Sequence, residues 1–191
     1  MAQRLPVVRA AIAAALDAAP ARPLRALSLC AGDGRDLIPL LQAHPRGGDV
    51  TAVLVEQDER LAERAGQSAR GLPGVAVRTG DASRWAEVLD AGPADLLLIC
   101  GVFGNIRPSD VATTVWALPW LLAPGSRVVW TCKGRPSVQD GHRRLFATMG
   151  FDEVSFHDGA GQPFGVGVAT PRSVPSTPWL GQPDPVFSFV R

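Results

Sequence analysis

The sequence runs to 191 residues, 46% of them hydrophobic, which is enough to fill one large core and too few for two full domains. Its 19 Lys and Arg stand against 18 Asp and Glu, leaving a net charge of +1, and no Lys/Arg run appears. Such a chain lacks the field that gathers polyanions, so a small molecule rather than nucleic acid is the expected partner. Three cysteines, Cys30, Cys100 and Cys132, form no CxxC pair and make no disulfide framework, which fits a reducing cytoplasm. No apolar stretch reaches the ~20 residues of a bilayer span, so a soluble chain is expected.

Residues 1–23 open the chain. Val7, Val8, Ala11, Ile12, Ala15 and Leu16 recur at helical spacing and Asp17 interrupts the apolar run, so an amphipathic helix packed on the domain fits better than a signal peptide. From there strands alternate with helices, the pattern that builds a parallel sheet covered on both faces. A strand over 25–30 ends in AGDG, and a helix over 35–43 closes at His44, Pro45, Arg46, Gly47 and Gly48. Strand 50–55, helix 59–70 and strand 75–79 follow, then a helix over 83–90 leads through Gly92 and Pro93 to strand 94–100. That run, ADLLLIC, has to be central because both of its faces are apolar. Pro108 and Ser109 start a helix reaching residue 122, and Ala123, Pro124 and Gly125 end it before strand 126–132. Helix 138–149 and strand 151–157 make six strands in all. The Pro/Gly-rich tail, 158–191, holds two further strand-like pieces, 164–169 and 186–190. The second is the expected seventh strand, because turns flank it and Ser188 alternates with Phe187 and Phe189. Residues 1–191 therefore read as one doubly wound α/β domain.

In open α/β sheets a ligand binds at the carboxyl ends of the strands, so the residues just after each strand carry the site. After the first strand come Ala31, Gly32, Asp33, Gly34, Arg35 and Asp36. Gly32 and Gly34 let the backbone turn sharply against a ligand, and the next helix offers its N–H groups to an anion such as an amino-acid carboxylate. A tight turn with no ligand needs the same two glycines. A GxGxxG fingerprint starting at Gly32 would need a small residue where Leu37 stands, and no GxxxxGK[ST] occurs. Glu56 and Gln57 follow the second strand, and the Glu56 carboxylate can accept from both hydroxyls of a ribose. Asp58 sits at a helix N-cap. Asp81 and Ala82 follow the third strand, where Asp81 either meets an adenine amino group or caps the next turn.

The ordered set LSLCAGDGRDL, LVEQDERLAERA, Gly80-Asp81-Ala82 and ADLLLICGVFGNI resembles the motif set of the class I S-adenosylmethionine-dependent methyltransferases, and GFDEVSF resembles that family's sixth strand. The resemblance covers about 26–156. It implies a seven-stranded, mostly parallel sheet with the last strand antiparallel and S-adenosylmethionine as cofactor. It puts the glycine loop under the methionine moiety, Glu56 on the ribose and Asp81 near the adenine. Two departures stand out. Ser28 occupies the place of the acid in the family's DxGxGxG loop, and Cys30 the place of its first glycine. Asp33 and Asp36 are the acids placed to substitute.

Methyl transfer needs the nucleophile held in line with the methyl carbon and water kept out, so few catalytic residues are required. Gly101, Val102 and Phe103 leave the central strand beside the expected methyl position. Phe103 fits either a cofactor contact or plain core packing, and Asn105 is placed to orient an acceptor. Lys133, Asp140, His142 and His157 are the candidate bases, none of them assigned. The N-terminal helix and the tail, with Phe164 and Trp179, are expected to complete the acceptor pocket. No metal is expected, although three strand-ending thiols could in principle meet at a soft-metal site. Two other functions share these features, aminopropyl transfer, which lacks an acidic polyamine pocket here, and a non-catalytic S-adenosylmethionine-binding scaffold. Monomer and homodimer remain equally open.

Overall fold

The computed structural model describes residues 3–190; Met1, Ala2 and Arg191, the ends of the expected domain, lie outside the described residues. In chain order the elements are α1 (Arg4–Asp17), β1 (Leu24–Leu29), α2 (Ile38–Ala43), β2 (Val50–Glu56), α3 (Glu59–Ser68), β3 (Val75–Thr79), β4 (Ala94–Ile99), α4 (Pro108–Ala117), β5 (Leu122–Lys133), α5 (Pro136–Thr148), β6 (Phe151–His157) and β7 (Phe164–Pro171). The strands form one sheet in the order β3-β2-β1-β4-β5-β7-β6, with β7 antiparallel to both neighbours and the other pairs parallel. Chain order reverses between β1 and β4, and this switch point opens a crevice at their carboxyl ends.

Period-two alternation divides the core into two layers. Leu27 and Leu29 of β1, Leu97 and Ile99 of β4, and Val128 and Trp130 of β5 face the layer that holds α4, α5 and part of the tail. Leu24, Ala26, Leu96, Leu98 and Val129 face the opposite layer, where Val8, Ile12 and Leu16 of α1 pack with Ile38 and Leu41 of α2. Apolar residues pointing both ways is what a parallel sheet covered on both sides demands. α1 lies against β5 and β7, so its first turn reaches the carboxyl edge of the sheet. No described helix is long and apolar enough to cross a membrane.

The structure corrects the expected seventh strand. It is Phe164–Pro171, and the Val186–Val190 piece is an extended strap with one isolated bridge, Ile106 to Phe189. Gly165 and Gly167 weaken the strand signal of the true β7 because their role is to admit aromatic rings. A Cβ at Gly167 would lie 2.2 Å from Trp130 Cε2, and one at Gly165 would lie 2.6 Å from Phe156 Cζ. The helix expected over 83–90 is two short 3-10 turns, Trp85–Glu87 and Leu89–Ala91. Helix α4 stops at Ala117, where a 3-10 turn containing Pro119 takes over, and β5 begins four residues earlier than expected, at Leu122. Cys30 and Cys132 face one layer and Cys100 the other, so the three thiols do not converge, and among the described residues no group of three or more His, Cys, Asp or Glu is arranged to hold a metal.

Because Trp130 fills the space over Gly167, Gly167→Ala should lower stability by about 1–3 kcal/mol. Gly66→Ala, inside α3 where a Cβ meets nothing within 4 Å, should raise it by about 0.5–1 kcal/mol. Urea unfolding midpoints of the two variants check both signs.

Candidate functional site

β1 ends at Leu29, and the chain then turns through Cys30, Gly32 and Gly34 at φ of 52°, 60° and 73°. The two glycines have different reasons to be there. A Cβ at Gly34 would fall 2.3 Å from Ile38 Cδ1 and 3.0 Å from Leu54 Cδ2, so Gly34 lets the turn and α2 sit tight on the sheet. A Cβ at Gly32 meets nothing within 4 Å, so there the backbone borders open space. Cys30 holds a left-handed conformation that costs an L-residue about 1–2 kcal/mol. Burial and the nearby carboxylates of Glu56 and Asp81 push its thiol up to about 12.

The Glu56 carboxylate joins two strand tips. Its Oε2 accepts from Gly32 N–H at 2.7 Å and its Oε1 from Asp58 N–H at 2.9 Å. An ionised carboxylate has about four acceptor positions, so each oxygen keeps one for a ligand. Asp58 caps α3, its Oδ1 accepting from Leu61 N–H at 3.0 Å, and Gln57 is exposed beside it. Asp81 Oδ1 accepts from both the N–H and the hydroxyl of Ser83, at 2.9 and 2.7 Å, which makes it the cap of its own turn, next to buried Ala82.

The two acids near the missing Ser28 carboxylate part company. Asp33 is tied to Arg35, whose Nε donates to it at 2.7 Å, and this holds the Asp33 carboxyl below its usual range. Asp36 makes no hydrogen bond or ion pair among the described residues; burial lifts its carboxyl above the usual range, against the opposing pull of Arg4, Arg9 and Arg35. Asp36 is thus the unspent acid at this end of the sheet. Ser28 itself is buried, 6% exposed, in the α1/α2 layer.

After β4, Gly101 at φ 84° donates its N–H to Thr131 Oγ1 at 2.8 Å, and Asn105 Nδ2 donates to Gly101 O at 2.6 Å. Asn105 therefore closes its own loop. Val102 and Phe103 are buried, and the Phe103 ring packs in an aromatic group with Trp130, His142 and Phe146. His142 donates from Nδ1 to Val138 O at 2.8 Å, and its Nε2 is buried without a partner. Asp140 pairs with Arg143, which also binds Glu153, on the outer side of α5. His157 Nδ1 accepts from Gly159 N–H at the β6–β7 turn. Lys133, exposed at the end of β5, forms no ion pair among the described residues.

Two pockets flank the Gly101–Asn105 loop. One, of about 420 Å³, mixes polar and apolar walls and is lined by Arg4, Gly101, Thr131, Lys133, Gln162 and Phe164, among others. The second, of about 450 Å³, is apolar and lies between α4 and α5, with Phe103, Val111, Val138 and His142 on its walls. Lys133 and Gly104 border both. The tail straps the loops after β3 and β4 together: Val186 N–H donates to Ser83 O at 2.9 Å, Val190 N–H to Asn105 O at 2.9 Å, and Ser188 N–H to Asp110 Oδ2 at 3.2 Å. Phe187 of the strap is buried. Trp179 lies away from both pockets, among Trp85, Trp116 and Trp120, and anchors the tail. Sequence reasoning missed Arg4 as a site residue, because only the docking of α1 brings its guanidinium within 3.7 Å of a Cβ position at Gly101.

The geometry has known counterparts. A protein from Bordetella parapertussis described as a "possible exported protein" superposes with a TM-score of 0.71 at 17% identity, over 89% of this chain and 67% of that one. Magnesium protoporphyrin IX methyltransferase from Synechocystis, solved with S-adenosylmethionine bound, gives 0.66 at 16% identity over 89% and 80%. Aeropyrum pernix fibrillarin, with natively bound S-adenosylmethionine, gives 0.62 at 16% over 78% and 67%. This chain has the class I methyltransferase fold. Compared by sequence, it matches no family model and no curated protein, so the likeness to class I methyltransferases is one of fold.

Raised to about 12, the Cys30 thiol should carry about a thousandfold less thiolate at pH 8 than an ordinary cysteine. Iodoacetamide labelling of the folded protein, followed by peptide mass spectrometry, should leave Cys30 unmodified while the unfolded chain labels readily; rapid labelling in the folded state would contradict the burial described.

Proposed function

We propose that this chain is an S-adenosylmethionine-dependent methyltransferase acting on a small-molecule acceptor. The observation that carries the reading is the Glu56 carboxylate, fixed between Gly32 and Asp58 at the tip of β2 in a class I methyltransferase fold, with two acceptor positions still unused. Neighbours of that fold hold S-adenosylmethionine. Near-neutral net charge favours a small acceptor over a nucleic acid, and three free cysteines favour a reducing cytoplasm.

The residues present fit the cofactor. Gly32 leaves open space for a methionine moiety to pass over, and Glu56 accepts from ribose hydroxyls. Asp36, unpaired and partly buried, takes the place of the absent acid at Ser28 as partner of the methionine ammonium. Asp81 keeps one oxygen for an adenine amino group while the other caps its turn. Ala31, Ala82 and Gly101 supply backbone around these groups; Asp33 and Arg35 pair with each other and contribute shape only, and Gln57 stays at the rim.

When bound, the cofactor supplies a methyl group activated by its sulfonium. What this chain contributes is position. Thr131 and Asn105 lock the Gly101–Asn105 loop that borders the acceptor, and the tail strap holds the loops after β3 and β4 at a fixed spacing, which limits water entry. Asn105, Asp140 and His142 are each engaged in local hydrogen bonds or ion pairs, so no base among them carries the reaction. Ser28, standing where the family has an acid, supports a second reading, a non-catalytic S-adenosylmethionine-binding protein.

Isothermal titration with S-adenosylmethionine and S-adenosylhomocysteine should give binding, and NAD should give none. Glu56→Ala should weaken S-adenosylmethionine by about 1–3 kcal/mol if its charged hydrogen bonds reach the ribose. Asp36→Asn should weaken it in the same direction. No heat with either methyl-donor ligand, or unchanged affinity in a folded Glu56→Ala variant, would remove the basis of the reading. Binding without methyl transfer to any acceptor would select the second reading.

A further inference from the structure

The 420 Å³ pocket is built from segments distant in sequence: the first turn of α1, the Gly101–Asn105 loop, the end of β5 and the β6–β7 turn. Its volume falls within the about 300–1,000 Å³ typical of small-molecule sites. Its charge is one-sided. Arg4 and Lys133 both line it and no Asp or Glu does. Neither cation forms an ion pair among the described residues. Asp36 acts on Arg4 electrostatically without closing a bridge to it.

With two cations and no carboxylate in its lining, the pocket suits an anion, which gains charge-assisted hydrogen bonds on entering between them. Uncharged donors converge on the same space. The Thr131 oxygen already accepts from Gly101 N–H, which leaves its hydroxyl proton to donate, and the Gln162 amide stands at the rim. The guanidinium fork of Arg4 suits the two coplanar oxygens of a carboxylate. At Gly104 and Lys133 the pocket adjoins the apolar one between α4 and α5, so a ligand with an acidic end and a hydrocarbon or aromatic body finds surface for both.

We propose that this pocket binds the carboxylate of the methyl acceptor between Arg4 and Lys133, which makes the acceptor an organic acid. The assignment of the acid as acceptor rests on the methyltransferase reading; the anion site itself does not.

Saturation-transfer NMR on the full chain, with S-adenosylhomocysteine present, should detect 3-phenylpropionate and not its carboxamide. Arg4→Met and Lys133→Met should each weaken the acid by about tenfold, the loss expected for one charge-assisted hydrogen bond. Both side chains lie at the surface edge of their elements, and unchanged melting temperatures confirm that the variants fold. Lys133→Met should leave S-adenosylhomocysteine affinity within about twofold, since this cation, at the end of β5, is assigned to the acceptor. Equal saturation by acid and amide, or acid binding that survives both substitutions, overturns the site. Acid binding seen only in a parallel sample without S-adenosylhomocysteine also overturns it, because the cations would then serve the cofactor carboxylate. Failure of S-adenosylhomocysteine to bind, with the acid still preferred over the amide, supports the anion site and sinks the methyl-transfer reading alone.

Discussion

A single charge-assisted hydrogen bond, from Gly32 N–H to the Glu56 carboxylate at 2.7 Å, fixes the geometry on which the candidate site depends. Such a bond contributes about 1.5–3 kcal/mol, comparable to the cost of holding Cys30 in a left-handed conformation beside it. It ties the turn after β1 to the tip of β2. Backbone bonds from Ala31 N–H to Val55 O and from Gly80 N–H to Glu56 O carry the connection to both sides. With β1, β2 and β3 joined at their ends, the glycine turn presents its open side at Gly32 in one arrangement. A sheet buried on both faces has only such ends to offer a ligand.

Along that edge the charges are sorted. Glu56 and Asp81 sit at the tips of β2 and β3, and their field is part of what raises the Cys30 thiol. Arg4 and Lys133 sit on the far side of the switch point, at α1 and the end of β5. Asp36 lies between the two groups, lifted by burial. A net charge of +1 conceals this polarity. An acid-lined half is complementary to hydroxyl and ammonium groups, and a cation-lined half to an anionic one.

The legible parts of the sequence were those whose signal is local. The apolar runs in 50–55 and 94–100 announce strands buried on both faces, and the acid after β2 announces a strand-tip carboxylate, because each needs only its own neighbours. β7 has a weak signal because Gly165 and Gly167 are poor strand residues in themselves, and only the fold lays Phe156 and Trp130 over them. Conversely, Phe187 and Phe189 alternate like a strand, yet they belong to a strap that crosses two loops. Arg4 carried no signal at all. Its place at Gly101 follows from α1 docking Val8 and Ile12 against β5 and β7, a long-range event that no window of sequence contains.

The fate of the polar candidates also bears on the kind of chemistry this edge supports. Asn105 spends its amide on Gly101, Asp140 its carboxylate on Arg143, and His142 its Nδ1 proton on Val138. Each of these contacts stiffens a loop or helix end that walls a pocket. A general base has to present an unspent lone pair to the acceptor, and the His142 Nε2 that remains is sealed from solvent among Phe103 and Trp130. With Asn105, Asp140 and His142 spent on local contacts, these parts of the edge are suited to fixing distance and direction. Displacement at a sulfonium carbon draws its rate chiefly from that, since the leaving group is already activated and the barrier that is left lies largely in alignment and in the exclusion of water.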